Sequence, residues 1–295
     1  MTDRSILITG CSTGIGYTCA LGMRERGWRV FATARKDEDL ARLEELGLEA
    51  VYLDYTKPDS IARCAHDVLL RTDNQLYALF NNGAYGQIGA VEDLPVEALR
   101  HQFEANVFGW HDLTCRIIPS MRAQGQGRIV QCSSILGLIA LKWRGAYNAS
   151  KFALEGLSDT MRLELAGSGI YVSLIEPGPI RSKFQKTAID NFEKTIDREN
   201  SPHREAYIKQ LARRTGHMRT GWEPETPAQS KKRTGGILNR RGRLGPDAVL
   251  DKLVHAVESS RPHPHYHVTL PTRIGAFARR VLSGRLFDAF ASKIS

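Results

Sequence analysis

No apolar run in this chain of 295 residues approaches the roughly 20 that a membrane-spanning helix needs. The opening Met1-Thr-Asp-Arg leads straight into an apolar stretch and leaves no room for a secretory signal peptide. Both absences make the cytoplasm the expected compartment. Cysteine is sparse as well: Cys11, Cys19, Cys64, Cys115 and Cys132 are odd in number and form no C-x-x-C pair, which argues against a disulfide framework or a structural zinc site. Reduced thiols are expected, and no internal repeat is visible. A hydrophobic content of 42% is nevertheless enough to bury a sizeable core.

What is present is an alternation. Ser5–Thr9, Arg29–Thr33, Ala50–Leu53, Tyr77–Phe80, Arg128–Gln131 and Tyr171–Ile175 are short and apolar, as buried strands are. The stretches 17–26, 61–70, 96–121 and 149–165 carry helical periodicity. Strand and helix in turn predict an α/β, doubly wound parallel sheet of Rossmann type with helices on both faces.

The first strand runs into Gly10-Cys-Ser-Thr-Gly14-Ile-Gly16. Glycines at a strand-to-helix turn let backbone approach a pyrophosphate, and the free amides of the helix N-terminus supply donors and partial positive charge. Further on, Tyr147 and Lys151 stand four residues apart, with Ser134 upstream. On a helix, i and i+4 share a face about one turn apart. An ammonium held beside a phenol is expected to lower the phenol's pKa, normally near ~10, and so make it a usable proton carrier.

Together these residues resemble the short-chain dehydrogenase/reductase family, whose motifs are T-G-x-x-x-G-x-G and a Ser, Tyr-x-x-x-Lys and Asn set. The match covers about residues 5 to 182, with Asp54, Asn81-Asn82-Gly83-Ala84, Asn106 and Pro177-Gly178-Pro179-Ile180 falling in the family's order. Two departures stand out: Gly83-Ala84 replaces the usual Ala-Gly, and Ser182 replaces a Thr. The wording of the motifs is most similar to the hydroxysteroid, retinol and aldehyde reductase branch.

The resemblance implies hydride transfer between a nicotinamide and a carbonyl or carbinol carbon. Tyr147 would move the proton, Lys151 would hold the nicotinamide ribose, Ser134 would orient the substrate oxygen, and Asn106 would anchor a proton-relaying water. Gly10, Ser12, Thr13, Gly14, Ile15, Gly16, Arg35, Asp54, Asn81, Gly83, Pro177, Gly178, Ile180 and Ser182 are the implied cofactor contacts, joined by Tyr147 and Lys151. NADP, bound as NADPH, is favoured over NAD: Arg35 ends the second strand where an acid would select the unphosphorylated ribose, although Asp37 offers an alternative reach. The apolar Ile135–Leu141 and Trp143 suggest a lipophilic aldehyde, ketone, retinoid or steroid. A non-catalytic, NADP-responsive sensor on the same fold is the other reading. The family's habits also imply a homo-oligomer, a dimer or tetramer.

Residues 1–180 therefore read as the dinucleotide-binding core and 181–245 as a basic substrate lid. The lid region holds 16 Lys and Arg against 7 Asp and Glu, which equals the chain's whole formal charge of +9. Ser230–Gly236 and Asn239–Arg243 look flexible. Few aromatics and no nucleic-acid motif accompany that charge, so no specific nucleic-acid partner is expected. Residues 246–295 complete the domain with an amphipathic helix over 245–258, a strand over His267–Leu270 and an amphipathic tail, 274–287. That tail could rest on a membrane surface, but packing against a substrate pocket or subunit is the favoured use. His263, His265 and His267 alternate without a nearby carboxylate or Cys in sequence, so they read as a loop entering a strand, and no metal is expected.

Overall fold

A computed structural model describes residues 4–215, 226–234 and 244–294. Strands β1 (Ser5–Ile8), β2 (Arg29–Ala34), β3 (Glu49–Tyr52), β4 (Ala78–Asn81), β5 (Gly127–Cys132), β6 (Ile170–Glu176) and β7 (His265–His267) form one sheet in the order β3-β2-β1-β4-β5-β6-β7. Every neighbouring pair is parallel. β1, β4 and β5 are buried along their whole length, which is why Ile6–Ile8, Ala78–Phe80 and Ile129–Val130 are apolar in succession rather than alternating with polar residues.

Helices α1 (Gly14–Glu25), α2 (Asp37–Glu45), α3 (Pro58–Arg71), α4 (Val96–Phe103), α5 (Gly109–Ala123) and α6 (Gly145–Glu164) make the crossovers. They are followed by α7 (Phe184–Thr195), α8 (Arg204–Thr215), α9 (Pro227–Thr234), α10 (Asp247–Glu258), α11 (Leu270–Val281) and α12 (Gly284–Ile294). Strand order reverses between β1 and β4, and in open α/β sheets ligands bind at that switch point, beyond the carboxyl ends of the strands. Among the described residues no helix is long and apolar enough to cross a membrane. All five cysteines are free.

Three expectations need correcting. The single helix expected over 96–121 is α4, a π turn at Glu104–Phe108, and α5. The last strand lies at His265–His267, and Leu270 instead opens α11, whose first turn is capped by the Thr269 hydroxyl accepting from the Thr272 amide at 3.4 Å. Ser230 to Thr234, read as flexible, belongs to α9. Residues 235–236 and 239–243 of the supposed flexible stretches lie outside the described residues.

Candidate active site

The glycine-rich turn is built by backbone proximity. Gly10 has φ +70° and Gly14 φ +64°, the left-handed region that favours glycine. A Cβ on Gly10 would stand 2.5 Å from the Gly83 Cα, and one on Gly16 would strike the Gly10 carbonyl. Thr9 ties the loops together: its hydroxyl accepts from the amides of Asn82 (2.8 Å) and Gly83 (3.0 Å). Thr13 precedes α1 in extended conformation without capping it by its side chain, so the first-turn amides face the turn as donors for an anion. Ser182 approaches from the opposite side, its Cβ 3.1 Å from where a Gly14 side chain would begin.

The Gly83-Ala84 departure has a structural counterpart. A side chain on Gly83 would stand 3.3 Å from the Tyr55 ring, and the Tyr55 hydroxyl donates to Asn81 Oδ1 at 2.6 Å. Asn81 Nδ2 donates in turn to Thr114 Oγ1 (2.9 Å), so the Asn81 side chain is committed to the interior. A large residue at 55 and a small one at 83 share one space.

At the end of β2, a cavity of about 400 Å³ is lined by Ser12, Arg35, Lys36, Asp39, Tyr52, Asp54 and Lys57. Arg35 is exposed. Asp54 is held below the usual carboxylate range: burial opposes this, but hydrogen bonds from the Thr56 amide and hydroxyl and the charges of Arg35 and Lys57 outweigh it. Asp37 instead begins α2 and is absent from this lining. Lys36, Asp39, Tyr52 and Lys57 were not singled out in the sequence. Adjacency to Arg35 could have flagged Lys36, but the other three arrive from α2, β3 and the loop before α3.

Ser134, Tyr147 and Lys151 come together at the far side of the switch point. Ser134 is extended and its hydroxyl accepts from the Leu136 amide (3.1 Å), capping the short 3-10 turn Ile135–Gly137. The Lys151 ammonium, 1% exposed, donates to the Cys132 carbonyl (2.8 Å), lies 4.2 Å from the Trp110 ring centroid and 5.7 Å from that of Tyr147. Trp110 is itself fixed, its indole N–H donating to the Gly83 carbonyl at 2.8 Å. Burial pushes Lys151 down to about 8.

The expected sharpening of Tyr147 by Lys151 is not what the bare protein shows. Burial raises the phenol above its ordinary value, a nearby Cys132 adds to the rise, and the opposing pull comes from the Ser134 hydrogen bond and Arg144. The physical reason is that the ammonium's hydrogen bond goes to the β5 carbonyl, while a phenolate here would be almost wholly desolvated.

Asn106 sits in the π turn, an irregularity common at functional sites. Its amide clamps the backbone of Tyr85, donating to the carbonyl (2.9 Å) and accepting from the amide (3.2 Å). Its Nδ2 also donates to Ser150 Oγ at 3.4 Å, so the side chain ties the Tyr85 loop to α6.

An apolar cluster of Leu136, Ile139, Tyr147, Ala278, Phe287 and Ala291 surrounds the phenol, and Phe184, opening α7, stands edge-on to it at 5.3 Å. Trp143 packs against a second apolar cluster. It adopts φ +63° and packs edge-on against His203 and Tyr207, bracing the α7–α8 cluster.

The alternating histidines also differ from expectation. Glu176, fully buried, accepts from His265 Nδ1 (2.7 Å) and His267 Nδ1 (2.9 Å), and Asp159 lies 3.3 Å from His265 Nε2. Carboxylates do accompany them, brought by the β6–β7 pairing and by α6, which sequence adjacency could not show.

A phosphate-cradling turn at the switch point, opposite a buried Ser, Tyr and Lys, defines a dinucleotide-dependent oxidoreductase of the Rossmann class. Residues 4–193 match the family described as short chain dehydrogenase. The chain is 41% identical over 286 residues to an uncharacterized oxidoreductase, YbbO, of Escherichia coli K12, covering 97% of this chain and 93% of that one. It is 36% identical over 192 residues to human retinol dehydrogenase 8, covering 62% and 60%. A short-chain dehydrogenase of Streptomyces avermitilis superposes with a TM-score of 0.73 at 26% identity, covering 98% and 94%. The chain belongs to the short-chain dehydrogenase family.

Proposed function

We propose that this chain is an NADP-dependent oxidoreductase acting on a lipophilic aldehyde, ketone, retinoid or steroid, or on the corresponding alcohol. When bound, the nicotinamide dinucleotide supplies or receives the hydride. The chain's glycines fit such a group: Gly10, Gly14 and Gly16 leave a cradle that side chains would fill, and the α1 amides face it. Tyr147 gives or takes the proton of the substrate oxygen, Ser134 orients that oxygen, and Lys151 holds the nicotinamide ribose. Asn106 acts through Tyr85 to hold the loop beside them.

The observation that carries the reading is the burial of Ser134, Tyr147 and Lys151 together, with Tyr147 set in an apolar cluster. A desolvated, preorganised proton donor is worth far more to a reaction than to stability. The apolar walls supplied by Leu136, Ile139, Phe184 and Phe287 favour bulky, weakly polar substrates. The cofactor preference rests on Arg35, whose fork suits a ribose phosphate beside Ser12. We place the activity in the cytoplasm, where the free cysteines stay reduced. Exposed Phe152 and Leu163, on one side of α6, offer a face for a second copy of the chain.

Incubation of the purified protein with NADPH and a panel of long-chain aldehydes, retinal and steroid ketones, followed by absorbance loss, tests the reading. Turnover of at least one member is expected, and inactivity toward all would remove it. Tyr147→Phe should abolish turnover while leaving NADPH affinity nearly intact; retained activity would take Tyr147 out of the chemistry. Ala34→Asp should shift preference toward NAD, and unchanged kinetics with both cofactors would show that the end of β2 does not select.

A further inference from the structure

Helix α11 is built inside out. In an ordinary surface helix, large apolar side chains face the core and small or polar ones face water. Here the buried positions are Thr272, Gly275 and Ala278, and the Gly275 backbone approaches Ile139 so closely that a Cβ there would stand 3.3 Å from it. The large apolar residues point outward: Leu270 is 63% exposed, Ile274 48%, Phe277 67% and Val281 57%. Their spacing of four, three and four residues makes one straight stripe along the helix. Leu286, at the start of α12, is 60% exposed as well. A contiguous apolar stripe of this kind implies a partner.

Charge identifies the partner. Arg273 and Arg280 flank the stripe on one side, Arg279 lies over the Phe287 ring at 5.2 Å, and Arg285 follows on α12. All four are exposed, and among the described residues none pairs with a carboxylate. No acidic residue occurs in α11 and Asp288 is the one acid of α12. Docking two copies through this face would bring like charges together. A bilayer bearing acidic headgroups satisfies both features at once, since the apolar stripe sinks to the acyl boundary and the arginine stems extend toward the phosphates.

We propose that α11 and the start of α12 form a docking surface for an anionic phospholipid bilayer, with α11 lying in the plane of the interface. The inner faces of the same helices contribute Ala278, Phe287 and Ala291 to the apolar wall beside Tyr147. Docking thus sets that wall against the bilayer, and the surface requires no assumption about the substrate.

The test is cosedimentation of the full chain with vesicles of equal parts phosphatidylcholine and phosphatidylglycerol, and with vesicles of phosphatidylcholine alone. Wild-type protein is expected to sediment with the mixed vesicles and far less with the neutral ones. Ile274→Ser with Phe277→Ser should weaken binding at least about tenfold, and Arg273→Gln with Arg280→Gln by about tenfold on the anionic vesicles only. Because all four side chains are exposed, melting temperatures should stay within a degree or two, roughly, of wild type. Absence of wild-type binding, or binding unaffected by the apolar pair, overturns the proposal. So does loss of an oligomer by light scattering in the apolar variant when wild type binds neither vesicle, which would make the face a subunit interface.

Discussion

Lys151→Met should make the protein more stable at neutral pH. The ammonium is 1% exposed, donates to no carboxylate among the described contacts, and rests on the Cys132 carbonyl and the Trp110 face. Burial lowers it from the ordinary lysine value of 10.5 to about 8. At ~1.36 kcal/mol per pH unit this corresponds to a penalty of roughly 3 kcal/mol for keeping the charge inside. Methionine has similar length and fills the same space, but leaves the carbonyl without its donor, a loss of about 1–2 kcal/mol. The net gain is therefore on the order of 1–2 kcal/mol, or a rise of about 2–4 °C in melting temperature. The sign of the pH dependence follows from linkage. Between about pH 8 and 10.5 the unfolded chain holds the lysine proton and the folded chain has released it, so wild-type stability rises with pH there. The variant's advantage must then be fully present at pH 7 and shrink toward pH 10. Thermal melts of both proteins without cofactor, at pH 7 and about 9.5, measure it; titrating groups remote from Lys151 cancel in the difference, while Cys132 and Glu155, which interact with the ammonium, do not. A variant that melts below wild type at pH 7, or a gap that does not narrow with pH, would refute the reasoning. The function proposed above requires the variant to bind NADPH poorly, so stability and activity should move in opposite directions.

Two further outcomes follow from packing and charge. Gly22 lets α1 lie against Leu250 of α10, whose Cδ1 stands 2.9 Å from where a Cβ would be, so Gly22→Ala should cost about 1–3 kcal/mol in urea unfolding. Adding Leu250→Ala should cost less than the sum of the two single changes, and strict additivity would place the clash elsewhere. His265 is raised above its ordinary value chiefly by its hydrogen bond to Glu176, so its stabilisation is present below about pH 6.5 and is lost as pH climbs through the raised folded value. His265→Gln should therefore lower the melting temperature more at pH 6 than at pH 8.5, and an equal loss at both would show that the ion pair does not contribute.

Six of the seven strands and the site motifs were legible because each is local. A buried parallel strand is a run of apolar residues, a phosphate turn is a run of glycines, and Tyr147 and Lys151 share a helix face by spacing alone. The strand at His265–His267 was displaced because its identity lies in its partner: β6 supplies both the ladder and the Glu176 carboxylate that hold it. The π turn around Asn106 was hidden for a similar reason, since the Tyr85 backbone that its amide clamps comes from a distant loop.

What the order of residues determined by itself was therefore the alternation of elements, the dinucleotide turn and the set of reactive side chains. Tertiary structure alone decided the electrostatics of those side chains. Whether Tyr147 is eased or hindered in ionising depends on how much water the fold removes around it and where Lys151 sends its hydrogen bond. The same holds for α11, read from the sequence as an amphipathic tail packing against a substrate pocket or subunit: its large apolar residues face outward, and Gly275 is the one that lies against Ile139. Spacing sets which side chains share a face, but desolvation and direction depend on what the rest of the chain brings to it.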